Sequence, residues 1–356
     1  MTNFQKILNI HPYSLKKKEK NKIFNHEIIY LTKLHIQKCG LYLKILKNLK
    51  LKISLLKNYK DFPFLPVKIF KDFELKSVNN SQIYKILRSS GTTSNKTSKI
   101  FLDKLNASNQ SKVLTKIVSS VLGQKRLPML IIDKNPVLEN RKMFNASIAA
   151  INGFSVFGKN HSYLLKNKNS EIDYVLLNNF LENYGREKFL IFGFTYKIFD
   201  NLIKKLNTKK ILSNFKNGIL LHGGGWKKLE KIKIDNRSFK KKLNQKLKID
   251  NVYNYYGLVE QTGSIFVESK RCGYFHTSNF SDLIIRDKNF NELSNKKRGL
   301  IQLISLLPTS YPGHNILTED EGEIIGEDDC KCGKLGKYFI VHGRTKQAEV
   351  RGCSDT

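Results

Sequence analysis

Residues 99–102, 129–132, 189–192 and 218–221 form short runs that are apolar at almost every position. Stretches long enough for helices separate them. A strand that is apolar on both sides must be covered on both faces, which points to α/β sheets with helical crossovers rather than to half-exposed hairpins. The intervening sequence agrees, because 108–122 is amphipathic with helical spacing and a helix is predicted over 196–206. With the strand-like Ile83-Tyr84-Lys85-Ile86-Leu87, these runs predict an α/β core over residues 81–260.

The flanks differ. Over residues 1–80 the recurrence of Ile28, Ile29, Leu31, Leu34, Leu41, Leu43 and Leu46 predicts helices, and Pro63 and Pro66 force an extended connection after them. Beyond Gly257 the pattern changes to strands separated by turns, at 264–267, 283–286, 300–306, 323–325 and 338–341, so residues 261–345 read as a β-rich lobe. Residues 346–356 form a tail. With 356 residues the chain can bury a substantial core. No apolar run approaches the ~20 residues of a bilayer span, and residues 1–22 are polar and lysine-rich, so a cytoplasmic protein without a membrane span is expected.

The net charge is +33, and the excess is spread along the chain: residues 1–60 carry 14 Lys/Arg against 2 Asp/Glu, and 201–250 carry 15 against 3. Abundant Lys, Asn and Ile indicate a general bias with solvated lysines rather than a clustered nucleic-acid footprint, so nucleic acid is not the expected partner. Basicity can still attract anionic substrates or an acidic partner. The acidic island Glu319, Asp320, Glu321, Glu323, Glu327, Asp328 and Asp329 has no basic residue among it. It suits metal or hydroxyl binding, or a solvated loop that pairs with the basic surface.

Ser89-Ser90-Gly91-Thr92-Thr93-Ser94 is a run of small residues, five of them hydroxylated, ahead of Lys96 and Lys99. Small side chains let backbone N–H groups approach phosphate oxygens, hydroxyls add donors or reach Mg²⁺, and a lysine supplies a point charge. The spacing is not that of a P-loop. Either Lys96 or Lys99 could face phosphate. A second glycine-rich turn, His222-Gly223-Gly224-Gly225-Trp226, follows the strand at 218–221, and Tyr256-Gly257-Leu258-Val259-Glu260 sets a carboxylate three residues past a glycine at another strand end. Such turns are where open α/β sheets bind ligands.

Cys272-x-x-x-His276 and Cys330-x-Cys332-Gly333 supply four soft or borderline ligands, the set for a structural Cys₃His zinc site, with reduced cysteines in turns as the plain alternative. Cys39 reads as a buried small hydrophobe. Cys353 lies near the end of the sequence beside Arg351 and behind Lys346, positive neighbours that favour thiolate.

In order and approximate spacing, the loop at Ser89, Tyr256-Gly257-x-x-Glu260, Thr318-x-Asp320 and Gly343-Arg344-x-Lys346 resemble the adenylate-forming ligases. Leu221-His222-Gly223-Gly224-Gly225-Trp226, Glu260-Gln261-Thr262-Gly263 and Arg351-Gly352-Cys353-Ser354-Asp355-Thr356 narrow the resemblance to the LuxE acyl-protein synthetases, over roughly residues 20–356, with phenylacetate–coenzyme A ligases as wider kin. The resemblance implies the α/β N-terminal domain of that superfamily without its usual small C-terminal domain. It assigns Ser89 to Ser94, with Lys96 or Lys99, to the ATP phosphates, and Thr92 and Glu260 to Mg²⁺. Gly223, Gly224, Gly225, Tyr256 and Gly257 would border the adenine, Asp320 would bind ribose, and Arg344 ribose or phosphate. Cys353 would carry the acyl group, with Lys346 as the second catalytic residue. The implied activity is ATP-dependent activation of a carboxylic acid, such as a long-chain fatty acid, and its transfer to Cys353 as a thioester for a reductase or acyltransferase partner. The alternatives are a coenzyme A ligase-like enzyme, for instance in surface polysaccharide biosynthesis, and a basic nucleic-acid-binding or scaffold protein with a degenerate ligase fold.

Overall fold

A computed structural model describes residues 3–89, 97–135, 146–212, 215–226, 229 and 232–345. Within it, residues 3–121 and 257–345 form one compact unit and 122–256 another.

The first unit opens with α1 (Asn3–Leu8), α2 (Lys17–Lys38) and α3 (Gly40–Asn48). The Glu19 carboxylate accepts the Lys16 N–H at 3.2 Å, closing the first turn of α2. Phe24, Ile28, Leu31 and His35 form the buried face of α2. His35 stacks on His314 at 5.0 Å, donates or accepts at Ser77 Oγ (2.7 Å), and is pushed down to a pKa of about 4 by burial, so it is neutral at pH 7. The proline-bounded stretch forms the short β1 (Leu65–Pro66) before α4 (Ile69–Asp72).

β2 (Lys85–Arg88) and β3 (Lys99–Leu102) pair with each other antiparallel as a two-stranded sheet, followed by α5 (Lys104–Leu122). Residues 99–102 are therefore not part of the parallel sheet that their apolar run suggested. Ile100, Phe101 and Leu102 are buried all the same, which is why composition alone could not separate the two cases.

The second unit carries β4 (Leu127–Ile131), α6 (Ala146–Phe154), β5 (Gly158–Tyr163), α7 (Tyr174–Tyr184), β6 (Phe189–Phe194), α8 (Thr195–Ile198), β7 (Gly218–Gly223), α9 (Asn236–Leu247) and β8 (Asn251–Tyr256). Its strands lie in the order β5-β4-β6-β7-β8, all parallel. Alternation along the strands sends side chains to both faces. Leu130, Ile191, Leu220 and Val252 join Leu177, Phe180, Phe199, Phe239 and Leu243 in one buried cluster. Phe192 points the other way and stacks on Phe154 of α6 at 4.7 Å. The helix expected over 196–206 is α8 running into a π-helical turn, Phe199–Lys205, in which Asn201 Nδ2 donates to Lys197 O at 2.9 Å.

The first unit resumes with β9 (Phe266–Val267), β10 (Phe275–His276), β11 (Ser281–Arg286), β12 (Gly299–Ser305), β13 (Asn315–Glu327) and β14 (Lys337–Arg344). β10 to β14 form a sheet in the order β10-β14-β13-β12-β11, with β1 added parallel to β13. This is the expected β-rich lobe, but the acidic island is mostly strand, with Asp328 and Asp329 in the turn that follows. Glu319 to Glu327 lie on β13, and Glu319 pairs with Lys68 (3.1 Å), Glu321 with Arg298 and Glu327 with Lys17 (2.8 Å), while Glu323 Oε1 lies 3.4 Å from His342 Nε2. Among the described residues no helix is long and apolar enough to cross a membrane.

Candidate active site

In the second unit the glycine turn leaves the C-terminal end of β7, where parallel sheets present loops to ligands. Gly223 is paired in register with Tyr255 of β8, and Tyr256 closes that strand. His222 beneath the turn is buried, and burial pushes its pKa down to about 3. Its Nδ1 meets Thr195 Oγ1 at 3.0 Å, and the same hydroxyl donates to Gly223 O at 3.2 Å. Thr195 thus ties the carbonyl of the turn to the start of α8. Sequence reasoning missed Thr195, since nothing in the motif marks a hydroxyl 27 residues upstream of the histidine. Trp226 anchors the far side of the turn against Phe199 at 4.9 Å.

In the first unit Gly257 leads into a 3₁₀ turn, Val259–Gln261, with Glu260 only 2% exposed. Tyr311 Oη donates to Glu260 O at 2.9 Å, and Gln261 Nε2 donates to Gly313 O at 2.8 Å and Leu303 O at 3.1 Å. The carboxylate is therefore carried on a rigid turn. A buried carboxylate oxygen is the hard donor that Mg²⁺ prefers.

Asp320 and Arg344 are cross-strand partners on β13 and β14, with Arg344 Nε 4.0 Å from Asp320 Oδ1. Thr318 Oγ1 accepts the Asp320 N–H at 3.1 Å and itself donates to Ile301 O at 2.8 Å, so Thr318-x-Asp320 is a fixed bend in the strand. Ser89 ends the β2–β3 hairpin, where its Oγ accepts the Ser98 N–H at 2.8 Å. Lys99 Nζ is 2.7 Å from Glu74 Oε1 on the surface. Ser90, Gly91, Thr92, Thr93, Ser94, Lys96, Lys346 and Cys353 lie outside the described residues.

Cys272, His276, Cys330 and Cys332 converge, with their donor atoms all within 4.8 Å of one another. The sulfurs of Cys272, Cys332 and Cys330 are 3.3, 3.4 and 3.8 Å from His276 Nε2. A tetrahedral zinc with ordinary bond lengths separates sulfur from nitrogen by about 3.5 Å, so the donor set fits that ion. Two turns and a strand build it. Cys272 sits in a turn closed by Gly273 N donating to Ser269 O at 2.7 Å, and His276 pairs with Tyr338 on β10–β14. The Cys330–Cys332 turn is closed by Gly333 N donating to Cys330 O at 2.9 Å, with Gly333 at φ +81, a conformation that suits glycine. Tyr13 and Lys334, which surround this cluster, carried no sequence signal.

The family model for the acyl-protein synthetase LuxE matches residues 3–356. The chain belongs to the LuxE acyl-protein synthetase family. Comparison with curated proteins finds no match. Among solved structures, the chain is similar to a 2-hydroxyisobutyryl-CoA ligase in an open conformation with 2-HIB-AMP and CoA (TM-score 0.73, 11% identity, 95% of this chain and 77% of that one). It is similar to the same ligase in the thioesterification state (TM-score 0.71, 12% identity, 94% and 70%). It also resembles an ATP-bound RpMatB-BxBclM chimera (TM-score 0.50, 13% identity, 75% and 49%). At such identities these likenesses establish the fold, that of adenylate-forming ligases. LuxE family membership together with that fold supports acyl activation, and adenylate-forming ligases use ATP and Mg²⁺.

Proposed function

We propose that this LuxE-family protein is an ATP-dependent acyl-protein synthetase that activates a long-chain carboxylic acid and carries it on Cys353. In the first step a carboxylate oxygen attacks the α-phosphorus of ATP, and pyrophosphate leaves with the bond it had to that phosphorus. In the second, the Cys353 thiolate attacks the acyl carbonyl and AMP leaves, giving a thioester. Lys346 and Arg351 favour the thiolate. The loop from Ser89 to Ser94, with Lys96 or Lys99, takes the phosphates; Lys99 pairs with Glu74 on the surface. Gly223 to Gly225, Tyr256 and Gly257 border adenine, Asp320 takes the ribose hydroxyls, and Arg344 ribose or phosphate. Glu260 and Thr92 would hold Mg²⁺, which supplies charge compensation on the phosphates. Cys272, His276, Cys330 and Cys332 would hold a structural zinc ion.

The observation that carries this reading is the rigid turn presenting the buried Glu260 in a chain matched by the LuxE model over residues 3–356. The acyl group would then pass to a fatty acid reductase or an acyltransferase partner. A coenzyme A thioester is the second reading, favoured by the likeness to a ligase crystallised with CoA. Incubation with Mg·ATP and a labelled fatty acid is expected to label the wild type covalently but not Cys353→Ser, with pyrophosphate release retained in both. Equal labelling of the two proteins would sink the thioester step, and a CoA thioester formed without protein labelling would favour the second reading.

A further inference from the structure

A zinc-ligating histidine ordinarily donates its second ring nitrogen to a carboxylate, carbonyl or water, which fixes the ring. His276 is fully buried, yet no described residue lies within hydrogen-bond reach of its Nδ1. Ring packing takes over that task. Tyr338 stacks on the imidazole at 5.8 Å and 25°, and Tyr13 meets it edge-on at 6.3 Å and 81°. Tyr13 comes from the N-terminal segment ahead of α2, far away in sequence, and is 2% exposed.

The rest of that segment is gripped by the same chain stretches that supply the ligands. Leu335 N donates to Tyr13 O at 3.1 Å, and Lys334 Nζ lies 4.1 Å from the Tyr13 ring centroid. Asn279, three residues past His276, donates its N–H to Pro12 O (2.7 Å) and its Nδ2 to His11 O (2.8 Å), while its Oδ1 accepts from Ser14 N and Leu15 N (3.3 and 3.2 Å). Asp328, two residues before Cys330, accepts from Lys17 N at 2.8 Å and Gly336 N at 2.7 Å. Ladder pairing of β13 with β14 reaches Glu327↔Lys337; beyond it the turn is held by Asp328 N donating to Gly336 O at 3.1 Å, by Gly333 N donating to Cys330 O at 2.9 Å, and by these contacts to the N-terminal segment.

We infer that a zinc ion held by Cys272, His276, Cys330 and Cys332 is the latch that docks the N-terminal segment, residues 11–20, on the β-rich lobe, with Tyr13 and Lys334 as its outer shell. The inference rests on the zinc reading above. Three thiolates around a divalent cation leave one net negative charge, and Lys334, two residues past Cys332, carries its ammonium group over the Tyr13 ring that packs on His276. Tyr13 is the positioning residue: it orients the imidazole and, through the cation over its ring, holds Lys334 in place. Linkage makes the effect mutual, so metal favours the docked segment and the docked segment tightens metal by the same factor.

Zinc content of the purified full-length chain, zinc affinity by chelator competition, and hydrogen exchange with and without chelator test this. Tyr13→Ala is expected to weaken zinc binding by about 10- to 100-fold, the usual cost of losing an outer-shell partner. Tyr13→Phe is expected to bind like wild type, because the Tyr13 hydroxyl has no hydrogen-bond partner among the described residues. Removing zinc from the wild type is expected to raise exchange in residues 11–20 and 328–336 while β11 and β12 stay protected, a measurement that does not depend on how the variants fold. A zinc-bound protein whose segment stays protected after chelation, or whose Tyr13→Ala variant keeps wild-type affinity, overturns the latch and leaves the zinc site standing. A chain that neither carries nor takes up zinc overturns both.

Discussion

Asp282, 2% exposed, faces Lys337 Nζ at 2.8 Å and Lys20 Nζ at 3.9 Å, and accepts the Tyr59 hydroxyl. Burial alone would raise its pKa, but Lys337 and Lys20 outweigh it and hold the carboxyl at about 2. An unfolded aspartate titrates near ~3.9, so the stabilisation is complete above that pH and is lost as pH falls toward the folded value; the difference is on the order of 2 kcal/mol. Asp282→Asn leaves buried ammonium groups without their counter-charge and is expected to cost roughly 3–5 kcal/mol at pH 7 by urea unfolding. The wild type's decline between about pH 4 and pH 2 should be correspondingly shallower in the variant. A wild-type-like urea midpoint for Asp282→Asn would contradict this account. None of the network was legible beforehand. Lys20 belongs to a lysine-rich stretch that reads as a solvated face, and only the fold brings it, Tyr59 and Lys337 to one carboxylate. The converging cysteines and histidine were legible, because ligand chemistry restricts residue type and leaves spacing as a signature, whereas a buried ion pair can recruit any lysine.

At the level of elements, the glycine turn depends on how closely β7 and β8 approach at their C-terminal ends. A Cβ at Gly223 would stand 2.6 Å from ring carbons of Tyr255 and 2.7 Å from its carbonyl oxygen, and the backbone oxygen cannot step aside as a side-chain tip could. Gly223→Ala is therefore expected to cost about 1–3 kcal/mol and to weaken ATP binding about tenfold, read by thermal unfolding and calorimetric titration. Gly225→Ala is the control for the stability readout, since a Cβ there meets nothing within 4 Å. Equal thermal stability of the two variants would mean that the close approach of β7 and β8 does not set the turn. The β7 run and its turn were readable because a strand apolar on both sides has one well-known environment. β3 shares that composition but pairs in a hairpin, and partner choice is a long-range property that a local run does not encode. In β13 the sequence marks only 323–325 as strand, because Glu321, Glu323 and Glu327 occupy one face while Gly322, Ile324 and Gly326 are buried on the other, and the charges mask the full alternation.

For the whole chain, 63 Lys and Arg against 30 Asp and Glu give a net charge of +33 that the acidic residues of β13 offset only locally. Like charges at this density repel one another in the folded state more than in an expanded one, and salt screens them, with a Debye length falling from ~10 Å at 0.1 M to ~3 Å at 1 M. Thermal stability is expected to rise by about a few degrees between ~50 mM and ~500 mM NaCl. The same excess makes the protein bind heparin or DNA at low salt through counterion release, an attraction that falls steeply by ~200 mM. This separates incidental basicity from the nucleic-acid alternative. Base-edge contacts add a sequence-dependent preference that backbone attraction lacks, so competition between unrelated duplexes at ~200 mM salt decides the matter. Loss of all duplex binding, with adenylation intact, is the outcome expected of an acyl-activating enzyme whose lysines are mainly solvated. Strong preference for one duplex at that salt would instead assign the basic surface a function of its own.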